Sequence, residues 1–270
     1  MRRGRTLHHL AWLLMLVALA GFVLVLASVL LNGWPDLTWH FLSSWPDAAA
    51  GGDGILPELI NTTVMVGLAL VITAPLGLMV AVYQTEYRQR RRPPLERVRG
   101  TWLAAPTIVI GLVVYRVAVG WFHWPISLLT GTLALAVINW PFMVSISESA
   151  LGGVPASYRQ ASLALGASRF ETVVRVVIPA AAAPLIEGLG MAAARMAGES
   201  AALIVTAGIN VSRHWGLLAP GETLAVHIWY LRTEGLAAGR DAASAATGVV
   251  LLTLVTVVLW ISRRIARWFE

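Results

Sequence analysis

Residues 58–83 read ELINTTVMVGLALVITAPLGLMVAVY, and after Glu58 no charged residue occurs until Glu86. An α-helix rises about 1.5 Å per residue, so about 20 apolar residues cross the hydrocarbon core of a bilayer. This stretch is long enough to do so. Working outward from it, five more runs of similar character cover residues 9–31, 101–119, 126–146, 180–207 and 242–261. The composition agrees: of 270 residues 57% are hydrophobic and 13% charged, with a mean hydropathy of +0.72. Soluble domains carry about 25% charged residues. The expectation is an all-α membrane protein of six transmembrane helices, forming a single membrane-spanning domain over residues 1–270.

Arginine placement orients the runs. Fifteen of the 20 basic residues fall on one side: Arg2, Arg3 and Arg5 before the first run; Arg88, Arg90, Arg91, Arg92, Arg97 and Arg99 after the second; Arg159, Arg169 and Arg175 after the fourth; Arg263, Arg264 and Arg267 after the sixth. Arg213, Arg232 and Arg240 fall opposite, while Arg116 and Arg195 lie within runs. The positive-inside rule then places both termini in the cytoplasm. Beside a membrane helix the basic RQRRR run is read as a topology signal rather than a nucleic-acid site. The first run exceeds a signal-peptide h-region and lacks a convincing small-residue cleavage site, so it is expected to stay as a helix. Trp34, Trp102, Trp121, Trp124, Trp140, Trp260 and Trp268 lie near run ends, as interfacial anchors do. Outside, residues 32–57 contain the turn-rich WPDAAAGGDG, and 208–241 contain LAVHIWYL, too short to span and read as a surface or re-entrant helix.

Residue types also exclude chemistry. The chain has no cysteine, which rules out disulfides and thiolate metal sites. It has no lysine: every basic residue is arginine. A P-loop needs its lysine on the nucleotide phosphates, so this chain holds no standard Walker A site. His8, His9, His40, His123, His214 and His227 show no HExxH or other metal spacing, and no G-x-S-x-G marks a hydrolase. The chain is read as a non-enzyme with no cofactor or metal of its own.

One cytoplasmic segment is more than a connection. Residues 152–179 read GGVPASYRQASLALGASRFETVVRVVIP. Pro155 opens a short helix, and Gly166 ends it where a left-handed residue is needed. Ser168 with Glu171 forms a capping box for a second helix. Phe170, Val173, Val174, Val177 and Ile178 recur at helical spacing, and Pro179 interrupts the pattern. Two short helices around a glycine turn make a knob that fits a partner's groove, or an interfacial helix lying on lipid. Within the fifth run stand Glu187, Arg195 and Glu199; charges at membrane depth are costly and are functional candidates by default. Arg195 and Glu199 are four apart and share a helical face, either as a static ion pair or as a site where a guanidinium fork receives an oxyanion. Asn61, Thr62 and Thr63 line a pathway or bond within the membrane. Glu222 faces an outer vestibule or an external protein. Glu148 ends the fourth run in a structural role, Glu187 reaches water, and Arg116 snorkels to the outer surface.

The order Gln160, Ala161, Ser162, Gly166, Ile178, Pro179 resembles the "EAA" coupling loop of ABC importer permeases, with Gln-Ala-Ser in place of Glu-Ala-Ala. From about residue 51 to 261 the chain resembles the A-type membrane subunit of phosphate-specific (Pst) importers. The resemblance is carried by GILPELINTTVMVGLALVITAPLGLMVAVYQTEY, APTIVIGLVVY, ALAVINWPFMVSISESALGGVPASYRQASLALGAS and ARMAGESAAL. In the last, Ser200 and Ala202 replace the family's Thr and Pro; losing proline removes a helix break. The resemblance implies an ABC importer permease fold with cytoplasmic coupling helices, in a bacterial inner membrane. It implies inorganic phosphate as substrate, with Arg195 and Glu199 contacting it and Asn61, Thr62 and Glu222 along its path. Gln160, Ala161, Ser162, Gly166, Ile178 and Pro179 would couple the chain to ATPases. The implied partners are a C-type permease, two ATPase subunits that bind ATP and magnesium, an external phosphate-binding protein and membrane lipid, with no nucleic acid. ATP binding on the ATPases would move the 152–179 knob and switch access. Sulfate, molybdate or phosphonate transport, or a regulatory role in a phosphate-sensing complex, are the rival readings.

Overall fold

The structure is a computed structural model and describes residues 2–46, 54–87, 93–209, 215–234 and 239–269, with side chains at 2–7, 9 and 93–97 excepted. Part of WPDAAAGGDG and Arg88, Arg90, Arg91, Arg92, Arg213 and His214 therefore lie outside the described residues. The described residues are helical and contain no strand.

Four helices are long and apolar enough to cross a bilayer unbroken. They are α1 (Arg2–Gly33), α3 (Leu56–Val82, extended by a π-helical turn at Tyr83–Tyr87), α6 (Leu128–Gly152) and α13 (Arg240–Ala266). A short α2 (Trp39–Ser43) lies between α1 and α3. Pro75 and Pro141 sit inside α3 and α6 without breaking them.

The third and fifth runs depart from the sequence expectation of continuous spans. The third divides into α4 (Pro93–Ala104) and α5 (Thr107–Tyr115, extended by a π turn at Arg116–Trp121), bent by 98°. Pro106 explains the bend: it has no backbone N–H and pushes the residue before it out of helical conformation. It stands as the N-cap of α5 with ψ 128°.

After α7 (Ala156–Ala164), α8 (Arg169–Thr172) and a π turn at Val173–Val177, a one-turn α9 (Ile178–Ala180) bends by 67° into α10 (Ala182–Ala197). α10 stops at Gly198, and α11 (Ala201–Thr206) resumes after Ser200, whose φ of −126° is non-helical. LAVHIWYL forms α12 (Leu224–Thr233), whose first turn is fully buried rather than lying on the surface.

α3 and α6 form the broadest helix pair, and α10, α11 and α12 close around them. Met65, Ala69, Leu128, Leu135, Met196, Leu203 and Val226 make the central cluster. α1 packs chiefly on α13 and leaves most of its described length exposed. Trp140 is also off its expected place: it lies near the midpoint of α6, beside Trp102 of α4.

The two ends of the bundle match the arginine reading. At one end Arg159 pairs with Glu86 at 2.7 Å and Arg99 pairs with Glu148. At the other, the Ile55 N–H donates to Phe41 O, and Asn61 binds the segment before α12. Segments assigned to the same side by charge meet at the same end.

Candidate functional site

The cytoplasmic knob is built as its local grammar predicts, apart from its apolar stripe. Pro155 is the N-cap of α7, and Gly166 adopts φ +84°, the left-handed turn that ends it. The Gly166 N–H donates to Leu163 O and the Ala167 N–H to Ser162 O. The Ser168–Glu171 capping box is complete in both directions. Its Ser168 backbone N–H and hydroxyl hold the Glu171 carboxyl below its ordinary value of 4.5.

Ser162, where the related loop has alanine, shares a 2.9 Å hydrogen bond with the Thr172 hydroxyl and ties α7 to α8. The expected single apolar stripe divides, because the π turn at Val173–Val177 shifts the helical phase. Val173 and Val177 turn inward, while Phe170 is 67% exposed and Val174 also faces out. Leu165, at 89% exposure, and Tyr158 complete an outward apolar surface; Gln160, Ala161 and Pro179 are also exposed.

Arg159 anchors this knob. Its Nε and Nη2 donate to the Glu86 carboxylate at 2.7–3.1 Å, and its Nη atoms donate to the carbonyls of Val154 and Leu151. One side chain thus fastens the knob to the end of α3 and to the end of α6. A groove of about 320 Å³ runs beside it, lined by Thr85, Glu86, Arg159, Arg169 and Thr172.

Within the membrane, Arg195 and Glu199 are not paired as their spacing suggested. The break at Gly198 takes Glu199 off the helical face of Arg195. Glu199 Oε1 instead accepts from the Thr107 hydroxyl of α5 at 2.9 Å and from the Ala202 N–H of α11 at 3.5 Å. Glu199 therefore links α5 to the first turn of α11. The two helices approach so closely that a Cβ on Gly111 would lie 2.8 Å from Ala202 Cα. The break persists although Ala202 is not proline.

Arg195 is exposed, with its guanidinium 5.4 Å from the centre of the Phe142 ring on α6. Among the described residues no carboxylate lies within 4 Å of it. Glu187, Met191 and Arg195 follow one another at four-residue spacing and are all exposed. Below Arg195, a cavity of about 440 Å³ is lined by Met191, Glu187, Ser149 and Tyr158 and opens toward the knob. Glu187 faces this space.

At the outer end, Asn61 and Thr62 are buried and their polar atoms are engaged. Asn61 Nδ2 donates to Glu222 O at 3.0 Å, and Trp215 Nε1 donates to Asn61 Oδ1 at 3.0 Å. Thr62 Oγ1 donates to Glu58 O and accepts the Leu224 N–H at 2.9 Å. Thr63 is exposed and bonds back to Leu59 O. Glu222 is 3% exposed rather than facing a vestibule, and its Oε1 lies 3.0 Å from His227 Nδ1. Glu58, which the sequence marks only as the start of a span, is fully buried beside them. No local motif announces this trio, because Glu58 lies far in the chain from Glu222 and His227.

Comparison with known proteins gives a consistent answer. Residues 73–270 match the family model described as "Binding-protein-dependent transport system inner membrane component". The chain is 34% identical over 255 residues to a probable ABC transporter permease protein, YqgI, of Bacillus subtilis (strain 168), covering 89% of this chain and 85% of that one. It is 30% identical over 261 residues to the phosphate transport system permease protein PstA of Yersinia pestis, covering 93% and 85%.

Among solved structures, a chain of a bacterial alginate ABC transporter superposes with a TM-score of 0.66 at 12% identity, covering 95% of this chain and 94% of that one. A chain of the inward-facing MetNI methionine ABC transporter gives 0.63 at 21% identity, covering 80% and 94%. At such identities the likeness is one of fold. With the family model covering most of the chain, and the helical fold and exposed knob agreeing, the protein belongs to the binding-protein-dependent transport system inner membrane components, the permease subunits of ABC importers.

Proposed function

We propose that this chain is a permease subunit that carries inorganic phosphate across a bacterial inner membrane. The observation that carries the reading is Arg195: a fixed positive charge on the exposed face of α10 with an aromatic wall and, among the described residues, no carboxylate within 4 Å. A guanidinium offers a planar fork of donors that matches phosphate oxygens, and at membrane depth it replaces water the ion has shed. Several relatives at 28–34% identity carry the name of phosphate transport permease, which supports phosphate over other oxyanions.

In this reading a second, C-type permease faces the Glu187–Met191–Arg195 side of α10, so that the two chains enclose the path. Glu199 acts less as a substrate ligand than as the group that sets the α10–α11 break, and so the position of Arg195. Asn61, Thr62 and Glu222 hold the outer end together around the path. Of the two ATPase subunits below the permease pair, one docks on Tyr158, Leu165 and Phe170 of this chain, with Gln160, Ala161, Ser162, Gly166, Ile178 and Pro179 shaping that knob. The ATPase subunits bind ATP and magnesium, and an external phosphate-binding protein delivers substrate. The Arg159–Glu86 link transmits knob movement directly to α3.

The test is phosphate uptake in cells lacking their own importer, co-expressing this chain with the neighbouring transporter subunits, with and without Arg195→Ala. Uptake that requires the chain and is lost in the variant at equal membrane abundance is expected. Absence of phosphate uptake by an assembled complex with active ATPase, alongside uptake of sulfate, molybdate or phosphonate, would reassign the substrate. Normal uptake by the variant would remove Arg195 from the path.

A further inference from the structure

Three polar side chains converge at the outer end of the bundle, away from Arg195. Glu58 comes from the first turn of α3, Glu222 from the segment before α12, and His227 from its first turn. Each offers a donor atom, and these atoms all lie within 4.8 Å of one another. His227 Nδ1 is 3.0 Å from Glu222 Oε1 and 3.9 Å from Glu58 Oε1. The three residues are 0%, 3% and 9% exposed.

The arrangement leaves polar capacity unused in a place where that is costly. Both carboxylate oxygens of Glu58 and Oε2 of Glu222 are buried without a hydrogen-bond partner. A buried, unsatisfied carboxylate is among the most expensive groups a fold can carry. Their chain neighbours are apolar and buried: Ile55, three residues before Glu58, and Leu224, between Glu222 and His227, belong to one core cluster. Two carboxylates in such surroundings call for two compensating positive charges, and one imidazole supplies at most one. The backbone here is already fixed, because Asn61 and Thr62 tie the first turn of α3 to Glu222 O and Leu224 N. The donor atoms are thus held by a rigid frame rather than by loop tips.

We propose that Glu58, Glu222 and His227 bind one divalent transition-metal ion of the zinc class, which clamps α12 to α3 at the outer end. The donor set points to that class: one imidazole nitrogen with two carboxylates suits zinc, whereas magnesium and calcium favour all-oxygen shells and soft copper(I) favours sulfur. Metal bonds of about 2.0–2.2 Å at angles between octahedral and tetrahedral place neighbouring ligand atoms about 3–3.5 Å apart. The 3.0 Å spacing of Glu222 and His227 already meets this, and the 3.9 Å spacing of Glu58 closes with a small side-chain shift. The ion takes the place of the proton between His227 Nδ1 and Glu222 Oε1, neutralises both carboxylates and gives Glu58 Oε1 the partner it lacks. The alternative is that protons alone neutralise the cluster, and the experiment separates the two.

The full chain is purified with its co-purifying subunits, stripped with chelator and titrated with Zn²⁺ alone against a chromophoric competitor. Metal content and thermal unfolding are measured in parallel. Glu58→Gln, Glu222→Gln and His227→Gln preserve volume while removing a ligand, and Glu187→Gln serves as a control outside the cluster. The expectation is one Zn²⁺ per chain, with unfolding shifted upward by metal. Affinity should fall at least as far as it does on loss of a mere supporting group, about 10- to 100-fold, in each cluster variant and stay unchanged in the control. Absence of stoichiometric metal, or zinc binding untouched by all three variants, overturns the proposal in favour of a proton-neutralised cluster. If the variants do not assemble, X-ray absorption at the zinc edge of the wild-type complex decides: a shell of one nitrogen with oxygens supports the site, and any shell lacking imidazole nitrogen overturns it.

Discussion

Arg195 carries a charge that cannot be shed, faces away from its own chain's core, and has an aromatic ring rather than a carboxylate beside it. A static ion pair would have made it architecture; the observed isolation makes it available. The distinction between charge and fork geometry is testable. Arg195→Lys keeps the charge but loses the planar donors, so phosphate uptake should fall about tenfold, the equivalent of one charge-assisted hydrogen bond, with assembly intact. Uptake equal to wild type would mean that charge alone suffices.

Thr107 tests the other half of the former pair. Its hydroxyl donates to Glu199, and Thr107→Val removes that donor at nearly constant volume. The complex should lose about 1–3 kcal/mol of stability, because Glu199 is left half-buried with a poorer partner. Thermal unfolding of the complex checks this, and an unchanged midpoint would show that the bond is incidental. Spacing in the sequence revealed both acidic and basic residues but not their partners, since Thr107 lies on a different helix.

At the scale of elements, hydropathy made the six apolar runs legible, because length and absence of charge are set locally. The bends were not equally legible. The 98° bend needs only Pro106, which is visible in the third run but competes there with a strong apolar signal. The break after α10 has no proline; it falls at Gly198, and the Glu199–Thr107 bond and the close α5–α11 packing at Gly111 that accompany it are tertiary. In the knob, turn and capping chemistry are local and so were legible.

Gly166→Ala places a Cβ on a residue at φ +84°, costing about 1–2 kcal/mol at the α7–α8 turn although the space around it is open. The expected signs are faster proteolysis within 152–179 and weaker ATPase stimulation by substrate. An unaltered digestion pattern would argue against strain at this turn.

The Glu171 carboxyl has a lower value in the folded knob than in the unfolded chain, so its capping contribution is present above the unfolded value of 4.5. That contribution is lost as pH falls through the depressed folded value. Proteolytic protection of the knob should accordingly weaken below pH 4.5 in the wild type and show no such step in Glu171→Gln, whose amide still caps α8.

At the scale of the whole molecule, the chain displays two exposed surfaces that a lone subunit has no use for. One is the knob's Tyr158, Leu165 and Phe170; the other is the face of α10 carrying Glu187, Met191 and Arg195. They were unequally readable from sequence. The knob announced itself through its turn grammar, whereas the α10 face became visible only once the helices packed and left it uncovered. The Glu58–Glu222–His227 cluster was the least legible, since Glu58 comes from a segment far from the other two in the chain. Large exposed side chains gathered in this way mark contact with partners or lipid, and the two surfaces, which adjoin at the cavity lined by Tyr158, Glu187 and Met191, are expected to take different partners.

The absence of cysteine makes this directly testable, because any thiol introduced is the only one in the chain. Phe170→Cys, in membranes containing the assembled transporter, should crosslink to an ATPase subunit, and Met191→Cys to the second permease. Nucleotide should change the yield at both, since the Arg159–Glu86 link ties the knob to the helix bundle. If both positions trap the same subunit, the division of the chain into a coupling end and a pairing face is wrong. If Arg159→Ala leaves the nucleotide effect at Met191→Cys intact, motion reaches the path by another route than α3.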